Sequence, residues 1–274
     1  EILDPVDGES VKAWVDLSGN GHHAVNEAST VKFREDYYGN SNPVIDLINS
    51  GSNDWASDYL DILDMAAQDD RDMTIFMIFD PKANHWSDQL LEAEIYNEDG
   101  TDGTVMYSIN DNHNNSSTTM RAFNKTVNHS NIIKPMLLTI RTSSDGGDLL
   151  INGESLYNNS SGLWPSLASG NQRIRIGGPY MQNYPNQIED HFGSDANVSE
   201  IMIFYENLSN LDMNKVHHYL SQKWDFVSYV DSDSDGIFDD SDCDPLYDNG
   251  VIADCNGVCG GGAVVDCAGV CGGS

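Results

Sequence analysis

Val198-Ser-Glu200-Ile-Met-Ile-Phe-Tyr205 reads as one strand, and Leu208-Ser209-Asn-Leu-Asp212-Met213-Asn-Lys-Val216-His-His-Tyr219-Leu220-Ser-Gln-Lys223-Trp224, close behind it, as one helix over 209–224. The first run is β-branched and aromatic, the composition that fits a pleated, half-buried surface. In the second, Ser209 is placed to cap the helix. Asp212 sits at the third helical position, where a carboxylate returns a hydrogen bond and suits the positive end of the dipole. Leu208 and Met213 have the spacing of a hydrophobic staple. Leu211, Val216, Tyr219, Leu220 and Trp224 recur at helical spacing, so the helix is expected to dock through an apolar stripe with its aromatic residues in the core.

Runs of the first kind fill the chain upstream. Met73-Thr-Ile-Phe-Met-Ile-Phe79, Thr104-Val-Met-Tyr-Ser-Ile109, Ile132 to Arg141, Asp148-Leu-Leu-Ile151 and Arg173-Ile-Arg-Ile176 are separated by clusters of Asn, Asp, Gly and Ser, which supply turns. Asn152-Gly153 between two such runs is a hairpin signal. The pattern predicts an all-β, two-sheet jelly-roll sandwich carrying one C-terminal helix.

Several segments carry a family resemblance: Trp14-Val-Asp16-Leu-Ser18-Gly19-Asn20-Gly21-His22-His23, Leu149-Leu-Ile-Asn152-Gly153-Glu154, Ile174-Arg-Ile176-Gly177-Gly178, and the strand–helix segment already quoted. Together, over roughly residues 10–226, they resemble the LamG-like, concanavalin A-like lectin/glucanase jelly-roll domains of secreted bacterial proteins. The resemblance implies two sheets packed face to face, with a glycan or a protein bound along one face or at the rim loops. Trp14 would pack in the core, the Ser-Gly-Asn-Gly run would make a tight turn, and Gly177-Gly178 would let a strand end abruptly.

Composition breaks near Val227. The 274 residues carry 44 acidic against 13 basic side chains, a formal net charge of −31, and the last basic residue is Lys223. Ser228 to Ser274 holds ten Asp, no Glu, no basic residue and all five Cys. The chain therefore divides into a jelly-roll body at 1–227, an acidic repeat at 228–248 and a Cys/Gly-rich repeat at 249–274. So short a tail cannot hold itself together with a core.

The acidic repeat opens Asp231-Ser-Asp233-Ser-Asp235-Gly236-Ile237-Phe-Asp239-Asp240-Ser-Asp242-Cys243. Oxygen donors stand at positions 1, 3 and 5, a Gly at the turn, and acids again at 9 and 12, a spacing that curls around one Ca2+. Asp231, Asp233, Asp235 and Asp242 are the expected side-chain ligands. Ile237 would offer its backbone carbonyl, and Asp239 would bind directly or through water. Position 12 is Asp rather than the Glu of an EF-hand, and with Cys243 the segment resembles thrombospondin type 3 repeats. Its expected role is structural, stiffening the exit from the body.

Asp254-Cys255-Asn-Gly-Val-Cys259-Gly-Gly returns twelve residues later as Asp266-Cys267-Ala-Gly-Val-Cys271-Gly-Gly. A Gly-rich segment of this length reads as disulfide-bridged. Cys255–Cys259 with Cys267–Cys271 is one pairing among several that the spacing leaves open, and a zinc site built from all four of these cysteines is a further arrangement. Cys243 stands as the odd cysteine, to pair within the tail, stay free or link to another chain. The repeat resembles the Cys- and Gly-rich C-terminal repeats of secreted marine bacterial proteins. A start at Glu1 without Met reads as a processed or excised segment, and the end at Gly-Gly-Ser274 as a cut one that further repeats would follow.

The charge excludes nucleic acid as a partner and favours cations. No apolar run reaches the length of a membrane span. The body has no Cys nucleophile, no Gly-x-Ser-x-Gly and no His-Glu-x-x-His. Glucanases of this fold carry acids spaced as Glu-x-Asp-x-x-Glu. The nearest run, Glu92-Ala-Glu94-Ile-Tyr-Asn-Glu98, has its third acid displaced, so the chain is expected not to be an enzyme. His22-His23 and His217-His218 lack metal-ligand spacing and are expected on the surface or in the core.

Calcium and disulfides both point outside the cytoplasm, to a secreted or cell-surface protein. Eight Asn-x-Ser/Thr sites, at Asn114, Asn115, Asn124, Asn128, Asn158, Asn159, Asn197 and Asn207, would carry glycans only in a host that attaches them. The expectation is a non-catalytic extracellular carbohydrate-binding or adhesion module with a structural calcium site. Its ligand would be a glycan or a cell-surface or matrix protein, met by His85 and Trp86 in one loop and Tyr180, Tyr184 and His191 in another. The alternative is a structural subunit of a surface filament, sheath or adhesin, joined to copies of itself through the tail.

Overall fold

The computed structural model describes residues 5–26, 30–36, 42–47, 59–65, 72–81, 88–96, 104–114, 117–122, 125–129, 135–143, 146–159, 171–177 and 196–272. The first strands are β1 (Ala13–Trp14), β2 (Ala24–Val25), β3 (Lys32–Arg34), β4 (Val44–Leu47), β5 (Leu60–Met65), β6 (Met73–Pro81) and β7 (Asp88–Tyr96). They are followed by β8 (Thr104–Asn114), β9 (Ser117–Ala122), β10 (Lys125–His129), β11 (Met136–Ser143), β12 (Gly146–Ile151), β13 (Glu154–Asn159), β14 (Asn171–Ile176) and β15 (Ala196–Phe204). Among the described residues one α-helix, α1, spans Asn210–Lys223. The strands form an eight-stranded sheet, β1-β2-β5-β14-β7-β8-β9-β10, and a seven-stranded sheet, β13-β12-β11-β6-β15-β4-β3. The expected all-β, two-sheet sandwich with a C-terminal helix is what the chain adopts.

The uninterrupted apolar run at Ile75–Phe79 follows from its place in the middle of the seven-stranded sheet, covered on both faces. Ile75, Met77 and Phe79 join Met136, Leu138, Ile140, Leu149 and Ile151 in the core between the sheets, facing Leu60, Leu91, Ile174 and Ile176 of the other sheet. The alternate residues Phe76, Ile78, Leu137 and Leu150 form a second core on the outer face, capped by Leu208, Met213, Leu220 and Trp224 of the helical segment.

Helix α1 starts as its sequence predicts. Ser209 Oγ accepts from Asp212 N at 3.1 Å and donates to Asp212 Oδ2 at 2.7 Å. Both staple residues, Leu208 and Met213, are buried. At the other end Glu200 of β15 takes Trp224 Nε1 at 2.6 Å and Lys223 Nζ at 2.8 Å, which ties the last turn to the sheet.

The buried stripe differs from the expected one. Tyr219 is 50% exposed, whereas Asn214, His217 and Ser221 are buried beside Met213, Leu220 and Trp224. The helix is sandwiched between the sheet and a polar loop, so positions that can hydrogen-bond on both sides take the inner face.

His217 is wholly buried and joins the two layers. Its Nδ1 lies 3.3 Å from the Ser232 carbonyl and its Nε2 lies 2.8 Å from Thr139 Oγ1 on β11. A carbonyl only accepts, so Nδ1 carries the proton and Nε2 receives the Thr139 hydroxyl. Burial holds this imidazole neutral, down at about 4. The unfolded chain takes up a proton near pH 6.5 and the folded chain does not. The stabilisation is therefore full above pH 6.5 and is lost as pH falls toward 4, amounting to about 3 kcal/mol. Urea unfolding at pH 7 and at pH 4.5 is expected to show a pH slope that flattens in His217→Gln. An unchanged slope in that variant would place the acid sensitivity elsewhere.

Candidate metal centre

Beyond α1, the turn Val227–Tyr229 leads into a loop at 230–242 that lies against the body at the outer core, at the β12–β13 turn and at α1. Val230 is completely buried within the outer core. Asp231 N donates to Asn152 O at 3.0 Å, and Ser234 Oγ to Gly153 O at 2.7 Å. Asn152 and Gly153 form the β12–β13 hairpin turn that their sequence predicts, with φ of 52° and 86°. The Asn152 side chain also accepts from Leu137 N at 2.8 Å. A Cβ on Gly153 would overlap the Asp231 carbonyl oxygen. The turn is thus also the seat of the loop.

Within the loop, Asp231, Asp233 and Asp235 each bring a carboxylate oxygen within 4.8 Å of the other two. Backbone N–H groups aim them. Asp235 N donates to Asp231 Oδ1 and Asp233 Oδ1, both at 3.2 Å, and Gly236 N to Asp231 Oδ2 at 2.8 Å. Asp235 takes Ile237 N at 2.9 Å and, from the tail, Gly250 N at 2.8 Å. Gly236, at φ 93°, makes the expected sharp turn. Asp242 Oδ1 accepts from Asp244 N at 2.8 Å.

Two oxygens remain unanswered. Asp233 Oδ2 and Asp242 Oδ2 are buried and receive no hydrogen bond. Burial, and after it the nearby charges of Asp235, Asp242 and Asp231, push the Asp233 carboxyl up to about 7. Asp231 and Asp242 are raised too, chiefly by burial. Half-buried carboxylates crowded together without counter-charge, two of them with a buried oxygen that receives no hydrogen bond, are costly, and a cation is the group that would satisfy them. The donors are all hard oxygens with no Cys or His among them, which suits Ca2+ rather than zinc.

Asp239, expected at the ninth position of the loop, is turned to other work. Its Oδ1 accepts from Ser232 N at 2.9 Å. Its Oδ2 accepts from Ser221 Oγ at 2.7 Å and Ser232 Oγ at 2.8 Å, and lies 3.1 Å from His218 Nδ1. With both oxygens engaged, it clasps the loop to α1 instead of facing the acidic triad. For Ile237 the structure records the N–H bond to Asp235, and its carbonyl remains an expected ligand.

The tail bridges are Cys243–Cys259 and Cys255–Cys271, each joining residues sixteen apart, and Cys267 is free and exposed. Of the courses left open for Cys243 the chain takes pairing within the tail, and of the pairings left open it does not form the one that closes each repeat on itself. Cys267, expected among the bridged cysteines, is the one left over. Cys255 and Cys259 are held apart because each repeat folds its Asp254-to-Val258 or Asp266-to-Val270 stretch into a turn around the Asp side chain, with N–H to Oδ1 bonds of 2.8–3.0 Å. The second cysteine then lies against the preceding segment, as the Ala253↔Cys259 and Val265↔Cys271 bridges show. A sequence signal for this exists. Asp242-Cys243 stands twelve residues before Asp254-Cys255, so Cys243 begins the repeat series.

Glu92 and Glu94 lie on β7, in register with Arg175 and Arg173 of β14. His85, Trp86, Tyr180, Tyr184 and His191 lie outside the described residues. No helix among the described residues is long and apolar enough to cross a membrane.

No protein-family model matches the chain, and no curated protein does. Among solved structures it is similar to Trypanosoma rangeli sialidase in complex with sialic acid, at 11% identity and a TM-score of 0.48, over 79% of this chain and 32% of that one. It is also similar to domain 4 of AbnA, a GH43 extracellular arabinanase from Geobacillus stearothermophilus, in complex with arabinotriose, at 11% identity and a TM-score of 0.42, over 67% and 79%. The binding domain of Paraclostridial Mosquitocidal Protein 1 is similar at 15% identity and a TM-score of 0.47, over 78% and 51%. The chain spans about a third of the sialidase's length.

Proposed function

We propose that the chain is a non-catalytic extracellular recognition module, directed at a glycan or at a cell-surface or matrix protein. One structural Ca2+ on Asp231, Asp233, Asp235 and Asp242 holds its bridged tail against the sandwich. The observation that carries the calcium site is the pair of buried, unanswered oxygens, one on Asp233 within the Asp triad and one on Asp242. Two disulfides support an oxidising compartment. The loop touches the β12–β13 turn and α1, so a bound cation would act on the docking of the tail.

Chelation is the test. Limited proteolysis with and without a calcium chelator is expected to give faster cleavage within 228–245 in the chelated sample, with the body left intact. Cleavage at the same rate in both would overturn the calcium reading.

A further inference from the structure

Among the described residues, the outer face of the seven-stranded sheet is not wholly covered. Across β13, β12, β11 and β6, residues Asn158, Asp148, Arg141 and Thr74 form one cross-strand row. Helix α1 begins only at Asn210. The end of this face is left as a groove of about 380 Å³ between the β11–β12 hairpin and the segment that enters the helix. That volume lies within the range of small-ligand sites, roughly 300–1,000 Å³.

Its polar groups are fixed by one another. Arg141 donates through Nε and Nη2 to Asp148 Oδ2 at 2.9 and 2.5 Å. Through Nη1 it donates to Leu208 O at 3.1 Å and Asn210 Oδ1 at 2.6 Å. Asn158 Nδ2 donates to Asp148 Oδ1. Partner chemistry settles both amides, since a carboxylate only accepts and a guanidinium only donates. What remains for a ligand is an acceptor at Asn158 Oδ1, a donor at Asn210 Nδ2, one N–H on Arg141 Nη2 and the carboxamide of Asn207, which also lines the groove.

Donors and acceptors both stand among these groups, and those of Asn158, Asn210 and Arg141 hold still because their other halves are already bonded. The guanidinium and the Asp148 carboxylate offset each other, so the groove carries no net charge for an anion. The chain's formal charge of −31 repels one further. Leu208 is the one large apolar residue among the described lining residues, too little for a hydrophobic ligand. A rigid, uncharged set of donors and acceptors suits vicinal hydroxyl groups.

We propose that this groove binds a neutral saccharide, a monosaccharide or the terminal unit of a chain. The inference rests on the recognition reading above and names its ligand class and its site.

Protein produced in a bacterial host without N-glycosylation avoids a sugar attached at Asn158 or Asn207. It would be screened in calcium against neutral oligosaccharides of glucose, mannose, galactose, xylose, arabinose and N-acetylglucosamine, with sulfated and uronic-acid glycans alongside, and hits followed by calorimetry. Binding of a neutral class is expected, weakened at least about tenfold in Asn207→Ala at unchanged Tm, and likewise in Asn210→Ala when read well below the melting point of that variant. Binding that survives both variants would overturn the groove and leave the recognition reading standing. Capture of acidic glycans alone would overturn the ligand class. No binding to any glycan would overturn the proposal outright, while the calcium reading is judged separately by chelation.

Discussion

Asp233→Asn is expected to change the protein in opposite directions with and without calcium. In millimolar Ca2+ the variant should melt below the wild type, because a charged ligand has been removed from the centre of the triad, and its calcium affinity should fall by about 100-fold or more. In chelator at pH 8 it should melt above the wild type. Without a cation, ionised Asp233 carries a desolvation cost and lies against the charges of Asp235, Asp242 and Asp231, which is why its carboxyl is raised to about 7. The sign follows from that direction. A carboxyl raised in the folded state weakens the fold once pH exceeds its unfolded value, and an uncharged amide removes the penalty. Calorimetric melting of both proteins in both buffers checks this. A variant less stable than the wild type in chelator as well as in calcium would mean that Asp233 is only a turn residue.

Gly153→Ala is expected to cost about 2–4 kcal/mol, a large share of the stability of a domain. Two effects combine. Gly153 has φ 86°, which side chains rarely adopt, and its Cβ would overlap the Asp231 carbonyl oxygen and stand 2.7 Å from the carbonyl carbon. Backbone cannot rotate away as a side-chain tip can, so the 230–242 loop must lift off the hairpin. Gly21→Ala separates the two effects, since Gly21 has φ 80° and a methyl group there would meet nothing within 4 Å among the described residues. That variant should lose only the backbone term, about 1 kcal/mol. Urea unfolding together with cleavage within 228–245 would measure both. Equal losses at the two positions would show that the hairpin does not seat the loop.

The strand and helix at 198–224 are legible in the sequence because local chemistry specifies them: a cap at Ser209, a staple at Leu208 and Met213, and an apolar run before them. The face of the helix is less legible. His217 is buried because Thr139 lies on one side of it and the Ser232 carbonyl on the other, and those partners are 78 and 15 residues away in sequence. The acidic triad can be read from its spacing, since position and turn sit in one short segment. Asp239 cannot, because nothing in Asp239-Asp240 says which carboxylate will meet the helix that precedes it. The disulfide register stays hidden while Cys243 is set apart from the repeat, and becomes readable once the twelve-residue series is started at Asp242.

The sixteen-residue bridges of a twelve-residue repeat also decide how the tail would transmit force. Tension applied at Cys271 crosses to Cys255, follows the backbone to Cys259 and crosses again to Cys243. The path consists of two spans of 5.6 Å between Cα atoms and one short stretch of chain extending at most about 3.6 Å per residue. Residues 244–254 and 260–270 lie off that line and add no length to it. The tail is therefore an inextensible tether rather than a spring, and any pull on it arrives undamped at Asp242, one residue from the anchoring cysteine.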